Sequence, residues 1–243
     1  MITIGPSHGI IVACDVTDLD ELSRLVSATC SLECIVGYKV GMLMALSHGL
    51  ARATAAVKKH TDKLVIYDHQ KFGTDIPDVC SGSALDTIKS AGVGALIIFP
   101  QAGVETLRAA LSGCRERGLC PIAGGEMTHP GYLVTEGGYI DDKAPRRMYV
   151  DAARNGASHF VVPGTKIDRI RTYSRLLADV VSEPAFLFPG IGKGQGGDIV
   201  QAFEATLPYR AYAIVGRSIY QSDDPAHAVE KLWKAVVSAG FSL

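Results

Sequence analysis

Short apolar runs recur along the chain, each followed by a segment whose hydrophobic positions carry helical spacing. The runs are Ile10–Asp15, Ile35–Val40, Leu64–Asp68, Ala95–Phe99, Pro121–Gly124, Phe160–Val162, Ala185–Phe188 and Ala211–Val215. They are apolar at consecutive positions and rich in β-branched residues, the pattern of strands buried on both faces of a parallel sheet. Between them, Leu19–Ala28, Ala84–Ser90, Val104–Arg117, Arg146–Asn155, Lys166–Val180 and Ala226–Ser238 read as amphipathic helices. Asn155-Gly156 and Ala239-Gly240 close two of these helices. Strands and helices that alternate through short connections predict right-handed βαβ units. Eight units in 243 residues predict one domain over 1–243, an α/β (β/α)8 TIM barrel with its site at the C-terminal ends of the strands. An open doubly wound sheet is the structural alternative. The longest irregular stretch, Thr128–Pro145, follows the fifth run, where a barrel keeps functional loops.

Composition narrows the classes. Hydrophobic residues make up 47% and charged residues 20%, in keeping with a large core. The net charge of −1 and the absence of a basic face give no reason to expect nucleic acid or a membrane surface as partner. A small anionic ligand stays open, because local charge decides that. Cysteines 14, 30, 34, 80, 114 and 120 form no CxxC pair, and Cys30 and Cys34 lack a matching pair for zinc. They read as reduced thiols. The start, MITIGPSHG, has no charged segment followed by an apolar one, and no run reaches membrane-spanning length. A cytoplasmic protein without metal or cofactor is expected.

Polar residues at the strand ends are the candidates for chemistry. They are Asp15, Lys39 and Asp68, then Lys71 and Asp75 after the third run, and Glu126-Met127-Thr128-His129 after the fifth. Pro189–Gly197 follows the seventh run and Gly216-Arg217 the eighth. Glycine-rich backbone leaves N–H groups free to face an anion, and Arg217 adds a bidentate cation; together these loops predict a phosphate site. The plainer alternative is that the glycines only make turns. Lys39, Asp68, Lys71 and Asp75 must pair if they sit on inner strand ends, since an unpaired buried charge is costly. They are either a reaction centre or a structural ion-pair network. His129 reads as a loop or packing histidine, and a lone acid such as Glu126 is weak evidence of chemistry.

In these residues the chain resembles the orotidine 5'-monophosphate decarboxylase family. The resemblance rests on Ala13-Cys14-Asp15-Val16, Tyr38-Lys39-Val40-Gly41, Asp68…Lys71…Asp75-Ile76-Pro77, Glu126–Gly131, Pro163-Gly164-Thr165, Pro189–Gly192 with Gln195-Gly196-Gly197, and Ile214–Tyr220, in the family's order. It implies cofactor-free decarboxylation of orotidine 5'-monophosphate (OMP) to UMP. Asp15 would bond the ribose, Lys39 would contact the ribose and orient Asp68, Asp68 would face the substrate carboxylate, and Lys71 would protonate C6. Asp75 would act in the neighbouring subunit's site, making a homodimer necessary. Thr128, commonly Ser in the family, would bond the pyrimidine. Gln195 would bridge phosphate and base beside Pro163 and Gly196, and Gly216-Arg217 would hold the phosphate.

Two departures stand out. The family spells its core D-x-K-x-x-D, whereas Asp68-His-Gln-Lys71-Phe-Gly-Thr-Asp75 is one residue longer in each gap. Residues i and i+3 of a regular strand face opposite ways, so convergence needs a bulge at His69-Gln70 or a strand that ends at Asp68. Asp78-Val79 also stands where the family often has Asn-Thr. Two rivals remain: a magnesium-dependent sugar-phosphate decarboxylase or hexulose-phosphate synthase, and a phosphate-binding barrel without chemistry.

Overall fold

The structure is a computed structural model that describes residues 4–69, 72–192 and 194–243. Eight parallel strands close in chain order, β1 (His8–Ala13), β2 (Ile35–Gly41), β3 (Leu64–Asp68), β4 (Ala95–Ile98), β5 (Cys120–Gly124), β6 (His159–Val161), β7 (Ala185–Phe188) and β8 (Arg210–Val215). The barrel, not the open sheet, is the architecture. β8 pairs with β1, so no strand edge is left exposed.

The consecutive apolar runs follow from two cores. Successive side chains of a strand point to opposite faces. Ile11, Ala13, Ile66, Ala95, Ile97, Ile122, Val161, Leu187 and Ile214 fill the barrel interior. Ile10, Val12, Val65, Leu96, Ile98, Phe160, Phe186 and Ala213 face outward into the layer beneath the helices. Ile4 joins the inner cluster, and the Tyr212 hydroxyl donates to the Pro6 carbonyl at 2.7 Å, tying the N-terminal segment across the bottom.

The helices include α1 (Leu19–Thr29), α2 (Met42–His48), α3 (Leu50–Lys58), α4 (Pro77–Ser81), α5 (Ser83–Ser90), α6 (Val104–Glu116), α7 (Ala144–Arg154), α8 (Ile167–Ala178), α9 (Ile199–Glu204), α10 (Arg217–Tyr220) and α11 (Pro225–Ser238). The pattern predicts six of these; α2, α3, α4, α9 and α10 are additional. Asp18 and Asp224 cap α1 and α11 by accepting from Glu21 N–H and His227 N–H. Boundaries differ slightly from the sequence reading. β1 stops at Ala13, so Asp15 lies beyond its strand, and α8 begins after Lys166. No helix among the described residues is long and apolar enough to cross a membrane.

His159 occupies the lower interior on β6 and is 3% exposed. Burial, with Arg210 nearby, holds its imidazole down at about 4. A histidine in the unfolded chain titrates near 6.5, so the fold refuses a proton that the unfolded chain accepts. This costs nothing well above 6.5 and costs more as the pH falls toward about 4, reaching roughly 3 kcal/mol. Urea unfolding from pH 7 to 4 should show this loss, and His159→Gln should flatten it. An unchanged pH slope in the variant would refute the assignment.

Candidate active site

Strand parity builds the centre of the site. Ile66 points inward, so Asp68, two residues on, points inward at the mouth; Lys39 pairs with Ile66 and Gly41 with Asp68 across the β2–β3 ladder. Ala13 pairs with Lys39 on the other side, and Asp15 follows it. The Lys39 ammonium sits between two carboxylates, 2.8 Å from Asp68 Oδ2 and 3.3 Å from Asp15 Oδ1. Gly41 leaves room beside the pair: a Cβ there would lie 3.0 Å from Asp15 Oδ1 and 4.0 Å from Lys39 Nζ.

Lys39 is 7% exposed. Burial works against its charge, but Asp68 and Asp15 outweigh burial and hold its pKa above the ordinary lysine value. Asp68 Oδ1 is also buried, and no described residue donates to it. An unpaired buried oxygen is costly, so the mouth presents a carboxylate with one open acceptor.

The chain leaves the barrel directly after Asp68. Phe72 N–H donates to His69 carbonyl at 2.7 Å, and Phe99 N–H donates to Phe72 carbonyl at 3.0 Å. β3 ends at Asp68, as one of the two ways to accommodate the longer spacing requires, while the expected bulge at His69-Gln70 falls partly outside the described residues. Lys71 and Gln70 lie outside the described residues. Gly73 adopts φ +101°, and a Cβ there would meet the Phe99 carbonyl at 2.8 Å, so only glycine fits this return. Asp75 is not brought to Lys39. It is exposed, its Oδ1 accepts from Ile76 N–H at 2.7 Å, and its carbonyl accepts from Thr106 Oγ1 at 2.8 Å.

Gly216 and Arg217 stand on β8's side of Asp15. A Cβ on Gly216 would lie 3.4 Å from Ala13 Cβ. Arg217 opens α10, is exposed, and has no ion pair among the described residues. Around the mouth the order is therefore Arg217, Asp15, Lys39, Asp68, following neighbouring strands β8, β1, β2 and β3.

The opposite side is formed by the loops after β5, β6 and β7. Thr128, Pro163 and Gln195 lie there, Pro163 buried and the other two partly exposed, with Gly196 exposed. Thr165 Oγ1 donates to Thr128 carbonyl at 3.4 Å. Gly190, at φ +88°, packs so closely that a Cβ would approach Thr165 Cγ2 to 3.0 Å and Thr128 Cγ2 to 3.3 Å. One expectation is corrected here. The N–H groups of Gly192, Gln195, Gly196 and Gly197 are not free for an anion: they donate to the carbonyls of Gly197, Gly192, Gly192 and Gly190. That loop is held by its own backbone, whereas the exposed Arg217 has no ion pair among the described residues. His129 is exposed and edge-on to Tyr132, as a loop histidine should be.

Sequence reasoning weighs Glu126 only as a lone acid. Its side chain is fully buried and is held by Lys166, Arg169 and Tyr173. Among the described residues, no three His, Cys, Asp or Glu side chains converge as a metal-ligand group.

Residues 9–232 match the family model described as Orotidine 5'-phosphate decarboxylase / HUMPS family. The curated orotidine 5'-phosphate decarboxylase of Methanococcoides burtonii is 29% identical, over 92% of this chain and 94% of its own. That of Methanosphaera stadtmanae is 28% identical, over 93% and 96%. The crystal structure of orotidine 5'-monophosphate decarboxylase from Methanocaldococcus jannaschii, complexed with inhibitor BMP, superposes with a TM-score of 0.80 at 25% identity, covering 95% of this chain and 99% of that one.

Removing Lys39's charge should orphan two carboxylates at once. Lys39→Met is expected to cost the fold about 3–5 kcal/mol in denaturant unfolding, the usual penalty for stripping one partner from a buried pair. Adding Asp68→Asn should recover part of the loss, because it removes the buried orphan charge. If the single variant unfolds like the parent, the pair is not what holds the mouth together.

Proposed function

The chain belongs to the orotidine 5'-phosphate decarboxylase / HUMPS family, and we propose that it converts orotidine 5'-monophosphate to UMP as a carboxy-lyase of de novo pyrimidine biosynthesis. The observation that carries this reading is the order of groups around the mouth. Among the described residues, an arginine without an ion pair, an exposed aspartate, a buried ammonium and a carboxylate with an oxygen that no group donates to follow one another in space. A nucleotide laid along them meets Arg217 and Gly216 with its phosphate, Asp15 with its ribose and Asp68 with its reacting carboxylate. Thr128, Pro163, Gln195 and Gly196 face the base from the opposite loops.

In the proposed reaction the C6–carboxylate bond breaks and carbon dioxide leaves. The bonding pair stays on C6, and the Lys71 ammonium gives C6 its proton. Solvent later reprotonates the lysine. A cation preset beside C6 stabilises charge as it develops, which is electrostatic catalysis without cofactor or metal. Lys39 holds Asp68 by the 2.8 Å ion pair, so Asp68's charge faces the departing carboxylate. Grip on the remote phosphate supplies binding energy for the reacting end.

We also assign a homodimer in which Asp75 serves the neighbouring site. Met42, Leu43 and Leu46 on α2, Ile76 and Val79 beside Asp75, and Val104 on α6 are all exposed. These side chains stand on the segments after β2, β3 and β4, the second of which carries the exposed Asp75, and exposed apolar patches mark interfaces. Val79, where the family often carries Thr, contributes apolar surface there. The reading places the protein in the cytoplasm, where its nucleotide substrate is made.

Following OMP absorbance with EDTA present tests substrate, reaction and metal independence together. Turnover should persist with EDTA, and Lys71→Ala should abolish it while the fold survives. Loss of activity on chelation would favour the magnesium-dependent sugar-phosphate chemistry. Tight binding of 6-azauridine 5'-monophosphate without any turnover would favour a barrel that binds and does not react.

Asp75→Asn and Lys71→Ala subunits, each inactive alone, should regain activity when mixed, since the hybrid dimer holds one intact site. No recovery in verified heterodimers would rule out the shared site.

A further inference from the structure

Glu126 stands two residues beyond β5, and its side chain has no exposed surface. Lys166 Nζ lies 2.9 Å from Oε1, Arg169 Nε lies 3.4 Å from Oε2, and the Tyr173 hydroxyl donates to Oε2. The Glu126 backbone N–H donates to the Tyr149 hydroxyl at 3.2 Å, which donates to the Val161 carbonyl at 2.6 Å. The Lys166 ammonium also binds Glu136 Oε1 at 2.6 Å. Glu136 Oε2 in turn accepts from the N–H groups of Tyr132 and Leu133 at 3.3 and 3.4 Å. One ammonium at the end of the loop after β6 therefore grips the loop after β5 at its start and in its middle.

A fully buried carboxylate is expensive, and a core position this deep favours an apolar side chain unless the charge serves a purpose. Its location supplies one. Thr128 follows Glu126 by two residues, Thr165 precedes Lys166, and Thr165 Oγ1 donates to the Thr128 carbonyl at 3.4 Å. Thr128 is thus held by the ion pair on one flank and by its neighbour on the other, with Gly190 against both threonines.

We propose that Glu126 and Lys166 are positioning residues that fix Thr128 for contact with the pyrimidine base. This rests on the assignment of Thr128 as a base contact. Neither residue touches substrate. Both act by setting where the loop after β5 holds the Thr128 hydroxyl, so they govern recognition of the base and not of the ribose phosphate. A misplacement of about 1 Å costs on the order of 10²-fold in rate.

The test is a double-mutant cycle between Lys166→Met and Thr128→Ala, with Lys166→Arg as the conservative control. Lys166 is partly exposed, so its removal spares the core more than Glu126→Gln would. Lys166→Met should lower kcat/KM for OMP by about 10–100-fold, and Lys166→Arg should restore most of it. In the Thr128→Ala background Lys166→Met should have almost no further effect. By titration, Lys166→Met should weaken 6-azauridine 5'-monophosphate but leave ribose 5-phosphate unchanged. Equal losses for both ligands would make the pair merely structural and overturn the proposal. Full additivity with Thr128→Ala would overturn it as well, while leaving Thr128 a base contact. A Thr128→Ala variant that binds 6-azauridine 5'-monophosphate normally would instead remove the base contact itself, and the proposal with it.

Discussion

Lys39 carries two carboxylates on one ammonium at the mouth of the barrel, and the geometry around it is arranged to make that possible. Parity along β2 turns Lys39 inward above Gly37, and parity along β3 turns Asp68 inward above Ile66. Gly41 adds no side chain beside Asp15, where a Cβ would stand 3.0 Å from its Oδ1. With the Lys39 charge removed, the buried Asp68 carboxylate is left without compensation. The closed barrel sets the spacing and the ion pairs set the orientation; neither suffices alone.

The half of the mouth formed by the loops after β5, β6 and β7 has a different construction. There the backbone is irregular and is held by side chains: Glu126, Lys166 and Glu136 from within the loops, and Tyr149 and Tyr173 from the helices behind. The glycine-rich loop after β7 closes on its own N–H groups. One half of the site thus inherits precision from strands and the other from a buried polar network. Networks of this kind specify one arrangement only when fully satisfied, and the Glu126 carboxylate is satisfied on both oxygens.

Much of this was legible in the sequence, for physical reasons. Strands buried on two faces leave consecutive apolar residues, so all eight runs coincide with observed strands to within two residues at each end. Asp15, Lys39, Asp68 and Arg217 were legible because strand ends of a barrel converge on one mouth. The hidden parts are those without a local signature. Met42, Leu43 and Leu46 turn apolar side chains outward, which blurs the amphipathic pattern of α2. Four-to-six-residue helices such as α4, α9 and α10 are too short to show a period. Glu126 looked like a lone acid because its cation lies 40 residues away, a separation that only the fold closes. Free N–H groups after β7 were expected from glycine content, but glycine also lets a loop bond to itself.

The longer spacing from Asp68 to Asp75 is best weighed by charge and not by pattern. Asp15 and Asp68 bring two negative charges to the mouth and Lys39 brings one positive charge. These three groups therefore leave one negative charge over, and among the described residues nothing donates to Asp68 Oδ1. A substrate carboxylate entering beside it adds a second. On the proposed reading the second cation beside Asp68 is Lys71, three residues further along the sequence. Because β3 ends at Asp68, the two-residue parity that would have set their relation does not extend to Lys71. Added length in the motif is then a matter of how the chain turns after the strand. The requirement for the lysine rests on the uncompensated aspartate, which the spacing leaves untouched.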